Sequence, residues 1–215
     1  MRPITVTVGP LATASVNNIA LSQTPTTAFT LNGSTVVNGV AVLDVARRVL
    51  FTPAGNESAN FFTITGTDVA DNTITDVVAG GNATATYSAM DFKTVTSITL
   101  ASAAAGAITV GTNGVASSAW VRLDGWAFPQ VSIQCTVSGT VNYTVQQTLD
   151  DPNSPTNPVT PYLVTWVNSF DTTVVGATAT AQSNYAFVPV FARVLLNSGT
   201  GSVTATFLQA GNAPL

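Results

Sequence analysis

Histidine is absent from this sequence of 215 residues, and cysteine, lysine and glutamate occur once each, as Cys135, Lys93 and Glu57. Histidine is the side chain most often used for general acid–base catalysis, and a Ser-His-Asp or Cys-His nucleophile requires it. Zinc, copper and non-haem iron sites rely on histidine or on clustered cysteines. Carboxylate pairs alone remain for enzyme chemistry. We therefore expect a protein that is not an enzyme and that uses no cofactor and no metal.

Charged residues are also scarce: they make up 7% of the chain, against about 25% in an ordinary globular domain. The formal net charge is −4, and the only adjacent basic pair is Arg47-Arg48. Nucleic-acid binding requires clustered Lys and Arg, so no nucleic-acid partner is expected. A surface with so few charges is unusual for a free monomer. It indicates a homo-oligomer, for which a trimer is one option, or a surface covered by a partner.

Long apolar runs are missing as well. No stretch approaches the roughly 20 apolar residues of a membrane-spanning helix, so no membrane partner is expected. The N-terminus, "MRPITVTVGPLATA", has no compact apolar region and does not have the pattern of a signal peptide. A single cysteine allows no intrachain disulfide. Cys135 stands among apolar positions of an alternating run, so we predict that it is buried rather than reactive.

Alternating, β-branched segments fill most of the chain. In "VSIQCTVSGTVNYTVQQTLDDP" (131–152), Val131, Ile133 and Cys135 share one face before a Ser138-Gly139 corner. Similar runs recur every 8–12 residues or so and are bounded by Gly, Pro, Asn and Asp, which is typical of sandwiches and barrels. The predicted fold is all-β, with two consecutive antiparallel domains of the β-sandwich or jelly-roll type. The change of texture at 113–119, "NGVASSA", places the boundary between an N-terminal β-domain (1–115) and a C-terminal β-sandwich domain (116–215).

Several local predictions can be compared directly with a structure. "TAFTLNG" (27–33) is predicted as a strand, and "STVVNGVAVLDV" (34–45) as a hairpin that turns at Asn38-Gly39. "ARRVLFTPAG" (46–55) is predicted as a separate strand. A second hairpin is predicted to turn at Asp71-Asn72.

Two groups of aspartates deserve separate interpretations. Asp150 and Asp151, followed by a proline, could coordinate Ca²⁺ through oxygens, or they could cap a turn at the end of a strand. No D-x-D-x-D-G loop is present, so the turn is favoured. Asp68, Asp71 and Asp76 flank the 71–72 turn and could form the carboxylate pair of a glycosidase. Nothing apolar surrounds them to raise a pKa, so a solvated hairpin tip is favoured.

Aromatic residues concentrate in the second half of the chain. They could form a sugar-stacking platform, fill the core, or anchor a subunit contact, where Trp and Tyr are enriched. Core or interface is favoured, and the interface candidates are Trp120, Trp126 and Trp166. Arg47 and Arg48 are the other two candidates. Successive strand residues face opposite sides, and one of the two arginines could meet an Asp such as Asp44 or a carboxylate of a partner subunit. Structural pairing is favoured over the partner contact.

One long segment resembles a known class of module. The segment 61–114, "FFTITGTDVADNTITDVVAGGNATATYSAMDFKTVTSITLASAAAGAITVGTNG", is similar to a module of tailed-bacteriophage structural proteins. "VSIQCTVSGTVNYTVQQTLDDP" together with "ARVLLNSGTGSVTATFLQA" resembles the β-sandwich that accompanies this module in virion proteins of short-tailed phages. The resemblance lies in phrases and texture, and it transfers no functional residues.

The resemblance implies a virion component without enzymatic activity. The expected function is that of a capsid decoration or cement protein on the outer surface of the head. Its partner would be the major capsid protein or other virion subunits. A head–tail connector, collar or fibre-attachment protein is the first alternative, and a host-surface carbohydrate-binding module is the second.

Overall fold

The fold is almost entirely antiparallel β-strand, which confirms the all-β prediction. A computed structural model of the chain describes residues 3–125 and 130–209. Two short 3₁₀ turns, Pro161–Leu163 and Thr172–Val174, are the helical elements of these residues. None of the helical segments in the described ranges has the length and apolar character needed to cross a lipid bilayer.

Seventeen strands are present in the described residues. In chain order they are β1 (Ile4–Val8), β2 (Ser15–Gln23), β3 (Val36–Val37), β4 (Val40–Pro53), β5 (Phe61–Thr67), β6 (Thr73–Ala79), β7 (Thr86–Tyr87), β8 (Phe92–Leu100), β9 (Ile108–Ser117), β10 (Val121–Arg122), β11 (Val131–Ser138), β12 (Val141–Thr148), β13 (Val167–Asn168), β14 (Val175–Ala177), β15 (Ala181–Tyr185), β16 (Phe191–Gly199) and β17 (Ser202–Gln209).

Contacts divide the chain into two compact units. Ala12–Gly114 form one, called the inserted unit below; Met1–Leu11 and Val115–Leu215 form the other, the split unit. This differs from the expected consecutive domains, because β1 pairs along its whole length with β17 at the far end of the sequence. The stretch 113–119, predicted to be a flexible boundary, is largely strand, since β9 continues to Ser117. Its small residues suit a buried strand: Ala116 and Ser117 are both buried.

The inserted unit contains a sheet in the order β4-β8-β5-β6. The predicted turn at Asn38-Gly39 joins β3 to β4 and is confirmed: both residues have left-handed φ angles, 51° and 80°, as a two-residue hairpin turn requires. The second predicted hairpin is also present as β5 and β6, with Asp71 at φ 62°.

The core of the inserted unit is built around three phenylalanines. The rings of Phe51 and Phe62 stack with centroids 4.6 Å apart, and Phe29 lies 6.1 Å from each of them. Phe51 and Phe62 are fully buried. The aliphatic residues packed around them come from β2, β4, β5, β6, β8 and β9 and include Ile19, Leu43, Val49, Ile64, Ile74, Val95, Ile98, Ile108 and Val110.

Two strand predictions in this unit are wrong. Residues 27–33 form a loop rather than a strand, because the Gln23 side chain pairs with both backbone groups of Thr30 at 2.9 Å and takes the place of a neighbouring strand. Only a single bridge, Ala28 to Thr99, remains. The predicted break between 34–45 and 46–55 is absent, since β4 runs unbroken from Val40 to Pro53.

A bulge in β4 explains why the alternating sequence pattern led to a wrong prediction for this strand. Val42 pairs with Thr94 of β8, but the next pair is Arg47 with Phe92, so β4 has extra residues at this point. Lys93 Nζ donates to the carbonyl oxygens of Leu43 and Asp44 at 2.8 and 2.9 Å. The single lysine of the chain therefore satisfies carbonyl groups at the bulge.

The split unit contains two sheets. One has the order β1-β17-β11-β15; the other has β12 between β13 and β16, with β10 and the last residues of β9 on β16 and β14 on β12. Cys135 of the first sheet contacts Tyr143 of the second, and both are fully buried. The inward residues of the two sheets thus form one sandwich core. They include Val131, Ile133, Val141, Val145, Val194, Leu196, Val203, Ala205 and Phe207.

The outward face of the first sheet is made mainly of neutral polar side chains, with Asp171 beside it. Thr5 and Thr206 lie opposite each other with their hydroxyl oxygens 3.2 Å apart, and Thr7 and Thr204 are paired in the same way at 2.9 Å. The strand next to them contributes Gln134 and Thr136, which are exposed. We call this hydroxyl-rich surface the threonine face. Its neutral side chains reflect the low content of charged residues in the sequence.

Candidate interaction surface

Six large apolar side chains of the split unit are exposed along the chain between β12 and β16. Phe170 is 80% exposed and Leu149 is 70% exposed. The full set, called the apolar loop set below, is Leu149, Tyr162, Leu163, Val167, Phe170 and Phe187. Single exposed apolar residues need no explanation, but several exposed aromatic and branched side chains in one part of a unit make it a candidate contact surface.

Hydrogen bonds and ring contacts hold the segments that carry this set. Asp150, next to Leu149, accepts a 2.7 Å bond from the backbone amide of Thr165. The rings of Phe170 and Phe187 meet edge to face with centroids 5.9 Å apart. The segment after Tyr162 is thereby tied back to the end of β12, and Phe170 to the segment before β16. The exposed apolar groups are consequently displayed on fixed loops.

A row of aromatic and cationic groups lies on the same unit. Trp120 packs edge to face against Trp166 at 5.1 Å and against Phe191 at 5.7 Å. The Arg193 guanidinium lies 4.2 Å from the centre of the Trp166 ring, and Arg122 lies 5.3 Å from that of Phe191. Cation–π contacts of this kind stabilise partly buried rings. The row holds the tryptophans rigidly at the sheet surface.

The row contains two of the three candidate tryptophans. Trp120 and Trp166 are brought together, and both are partly buried. The Arg193 guanidinium covers one face of the Trp166 ring. Trp126, the third candidate, lies outside the described residues.

Arg47 and Arg48 belong to the inserted unit, so the tryptophans and arginines are not on the same compact unit. The predicted pairing of an arginine with Asp44 is confirmed: Arg47 Nη1 lies 3.1 Å from Asp44 Oδ1. Arg47 is only 1% exposed, which is incompatible with the predicted contact to a partner subunit. Arg48 lies on the other side of the strand, 4.0 Å from Asp91 and 5.9 Å from the Tyr87 ring.

The aspartates near the 71–72 turn act on their own backbone. Asp68 Oδ1 accepts bonds from the amides of Ala70 and Asn72 at 2.8 and 3.0 Å. Asp76 Oδ2 accepts from two amides of the segment that follows β7. Asp68 is buried rather than solvated, contrary to the predicted hairpin tip, because its carboxylate fills the inside of the turn.

Asp150 and Asp151 also serve local structure. Asp151 makes a two-pronged ion pair with Arg122 at 2.8 and 3.0 Å and accepts the amide of Asn153. The Arg122 guanidinium beside it lowers the pKa of the Asp151 carboxyl. In the described residues no group of three or more His, Cys, Asp or Glu side chains could hold a metal ion.

Glu57 is a buried carboxylate that sequence reasoning did not single out. Its Oε1 accepts from the amides of Ala105 and Gly106 at 2.7 and 3.1 Å, and its Oε2 accepts from Asn60 Nδ2. The single glutamate therefore ties together two loops of the inserted unit. A lone acidic residue in a turn-rich stretch was the only sequence signal for this role.

Asp68, Asp76, Asp151 and Glu57 are each engaged in bonds to backbone groups or in an ion pair. Cys135 is buried as predicted, and burial raises the pKa of its thiol to about 11.

Comparison with known proteins finds no matching family, no similar curated protein and no similar solved structure. Sequence reasoning did not single out Leu149, Leu163, Val167, Phe170 and Phe187, because no sequence pattern indicates that these apolar residues are exposed.

Proposed function

We propose that this protein is a non-enzymatic structural subunit of a tailed-phage virion, and specifically a decoration or cement protein. In this proposal it binds the outer surface of the major capsid protein lattice and stabilises the head. The resemblance of 61–114 and of the second half to phage structural proteins supports the class. The residue inventory supports it too, since an assembly protein needs a rigid scaffold and contact surface rather than reactive groups.

The observation that carries the proposal is the exposure of the apolar loop set. Phe170 and Leu149 expose most of their surface to water, which is unfavourable by about 25 cal/mol for each Å² of apolar area. Docking against another subunit removes that contact with water. Rigid aromatic anchors with nearby arginines are the composition of interface hot spots, and Trp120, Trp166 and Arg122 supply it on the same unit.

Stabilisation of the head would follow from mass action. A subunit that binds the assembled lattice and not the separate shell proteins lowers the free energy of the assembled state. Repetition by symmetry multiplies a modest contact over many equivalent positions. Few charges in the contact make the binding depend on shape and apolar area instead of ionic strength.

The first experiment is an image reconstruction of intact particles of the source phage. A decoration protein is found over the whole head, in a fixed ratio to the major shell protein. Density confined to one vertex, with a low copy number, would replace the proposal by the connector or collar alternative. Absence from purified particles, combined with binding to a host glycan, would favour the carbohydrate-binding alternative.

The second experiment tests the surface itself. Phe170→Ser and Leu149→Ser are expected to weaken co-sedimentation with undecorated particles at least tenfold, because each removes a large exposed apolar contact. Both side chains are mostly exposed, so unfolding should be little affected. Leu208→Ser is the matched control: Leu208 is 43% exposed on the other sheet of the same unit. Equal binding by all three variants would remove the apolar loop set from the interface.

A further inference from the structure

Two crossings join the inserted unit to the rest of the chain. The unit begins at Ala12 and ends at Gly114, so its two ends must be held if the unit is to stay closed. In an ordinary consecutive domain only one end needs such a tie. The residues that contact both ends of the inserted unit are therefore of special interest.

Arg47 contacts both ends. Its Nη1 donates to the carbonyl oxygen of Ala12 at 2.9 Å, and its Nη2 donates to the carbonyl oxygen of Asn113 at 2.6 Å. Asp44 completes the arrangement: its Oδ2 accepts the amide of Ala12 at 2.8 Å, and its Oδ1 lies 3.1 Å from Arg47 Nη1. Both backbone groups of Ala12 are thus bound by one ion pair.

The bulge in β4 makes this geometry available. Asp44 and Arg47 are three residues apart, and the extra residues between the Val42 and Arg47 pairs allow both side chains to reach the same place. Lys93 binds the carbonyl oxygens of Leu43 and Asp44 and so fixes the bulge from the neighbouring strand. A regular strand at this point would separate the two side chains.

We propose that Asp44 and Arg47 form an end clamp that fastens Ala12, the first residue of the inserted unit, to Asn113, the residue before its last. Arg47 is the central element, because it binds both ends; Asp44 binds the first end only. The planar guanidinium carries donors on separate nitrogens in a fixed fork, so Nη1 and Nη2 each bind the carbonyl group of a different end. The clamp thus joins the place where the chain enters the inserted unit to the place where it leaves the unit.

The test is amide hydrogen exchange on the full chain, read by peptides that cover 11–16, 111–116 and β6. Arg47→Met keeps most of the apolar stem and removes the donors. It is expected to speed exchange at both ends by about tenfold or more, the scale set by losing a charged hydrogen bond, and to leave β6 unchanged. Asp44→Ala is expected to speed exchange at the first end and to affect the last end much less.

Arg48→Met is the matched control, since it removes an arginine from the next position of the same strand, on the opposite side. It should change neither end. Equal acceleration in Arg47→Met and Arg48→Met, or unchanged exchange at 111–116 in Arg47→Met, would overturn the clamp. Uniform acceleration through the whole unit would reduce Arg47 to a general stabilising residue. If Arg47→Met does not fold, exchange is measured on Arg47→Lys in its place. Asp44→Ala tests the clamp in the same way, because exchange should become faster at the first end and change much less at the last.

Discussion

Phe61 and Phe62 are neighbours on β5 with opposite environments, and they give a sharp test of the core of the inserted unit. Phe62 is fully buried and stacks on Phe51 at 4.6 Å, whereas Phe61 is 48% exposed. Phe62→Ala deletes the same atoms as Phe61→Ala, but it leaves a cavity between Phe51 and Phe29. Any difference between the two variants therefore measures packing and not strand propensity.

The expected cost follows from the burial. Truncation of a buried phenylalanine typically lowers the free energy of unfolding by about 3–5 kcal/mol, to which a ring pair of this kind contributes roughly 0.5–1.5 kcal/mol. That is a large part of the total stability of about 5–15 kcal/mol of a typical protein. Phe61→Ala should cost about 1 kcal/mol, because about half of its side chain already contacts water.

Native-state hydrogen exchange is the appropriate assay, since the sequence of the inserted unit contains no tryptophan and tryptophan fluorescence does not report on it. The slowest amides of β5 and β8 should exchange about two to three orders of magnitude faster in Phe62→Ala, at roughly 1.4 kcal/mol for each factor of ten. Phe61→Ala should change them by less than about tenfold. Similar acceleration in both variants would refute the assignment of the aromatic cluster as the centre of this core.

Two further outcomes are expected. The Cys135 thiol, buried and with a pKa raised to about 11, should resist alkylation at neutral pH until the split unit unfolds; rapid alkylation of the native protein would contradict its burial. The Asp151 carboxyl has a folded-state pKa below its ordinary value of 3.8, chiefly through the hydrogen bond from Arg122, so its contribution to stability is present at neutral pH and is lost as the pH falls below that value. Asp151→Asn should therefore lower the free energy of urea unfolding at neutral pH by at most about 1 kcal/mol, as for exposed ion pairs. At strongly acidic pH the substitution should have no effect. A loss of stability that persists in acid would exclude the ion pair as its cause.

Local sequence signals predicted the strands well where turn chemistry and alternation coincide. Asn38-Gly39 satisfies the left-handed geometry of a two-residue turn, and the buried positions Val131, Ile133 and Cys135 follow the strict alternation of β11. They failed where side chains compete with the sheet. The Gln23 side chain binds the backbone of Thr30 in place of a neighbouring strand. No periodicity in residues 27–33 indicates this contact.

Long-range pairing was beyond such signals. The union of β1 with β17 joins the two ends of the sequence, and no local pattern in "ITVTV" indicates a partner almost two hundred residues away. The same holds for Arg47: adjacent arginines on a strand predicted opposite faces and a pairing with Asp44, but not the contacts with Ala12 and Asn113. Those contacts depend on the bulge, which breaks the alternation on which the prediction was based.

The threonine face of the split unit has a consequence for the way this surface responds to salt. Its hydroxyls bond in pairs, Thr5 with Thr206 and Thr7 with Thr204, and these four residues carry no charge for dissolved salt to screen. Threonine side chains are short, and little rotational freedom is lost when another molecule covers them. Such a surface is expected to keep the same wetting and colloidal behaviour from low to high ionic strength, whereas the behaviour of a surface of lysines and glutamates would change with ionic strength.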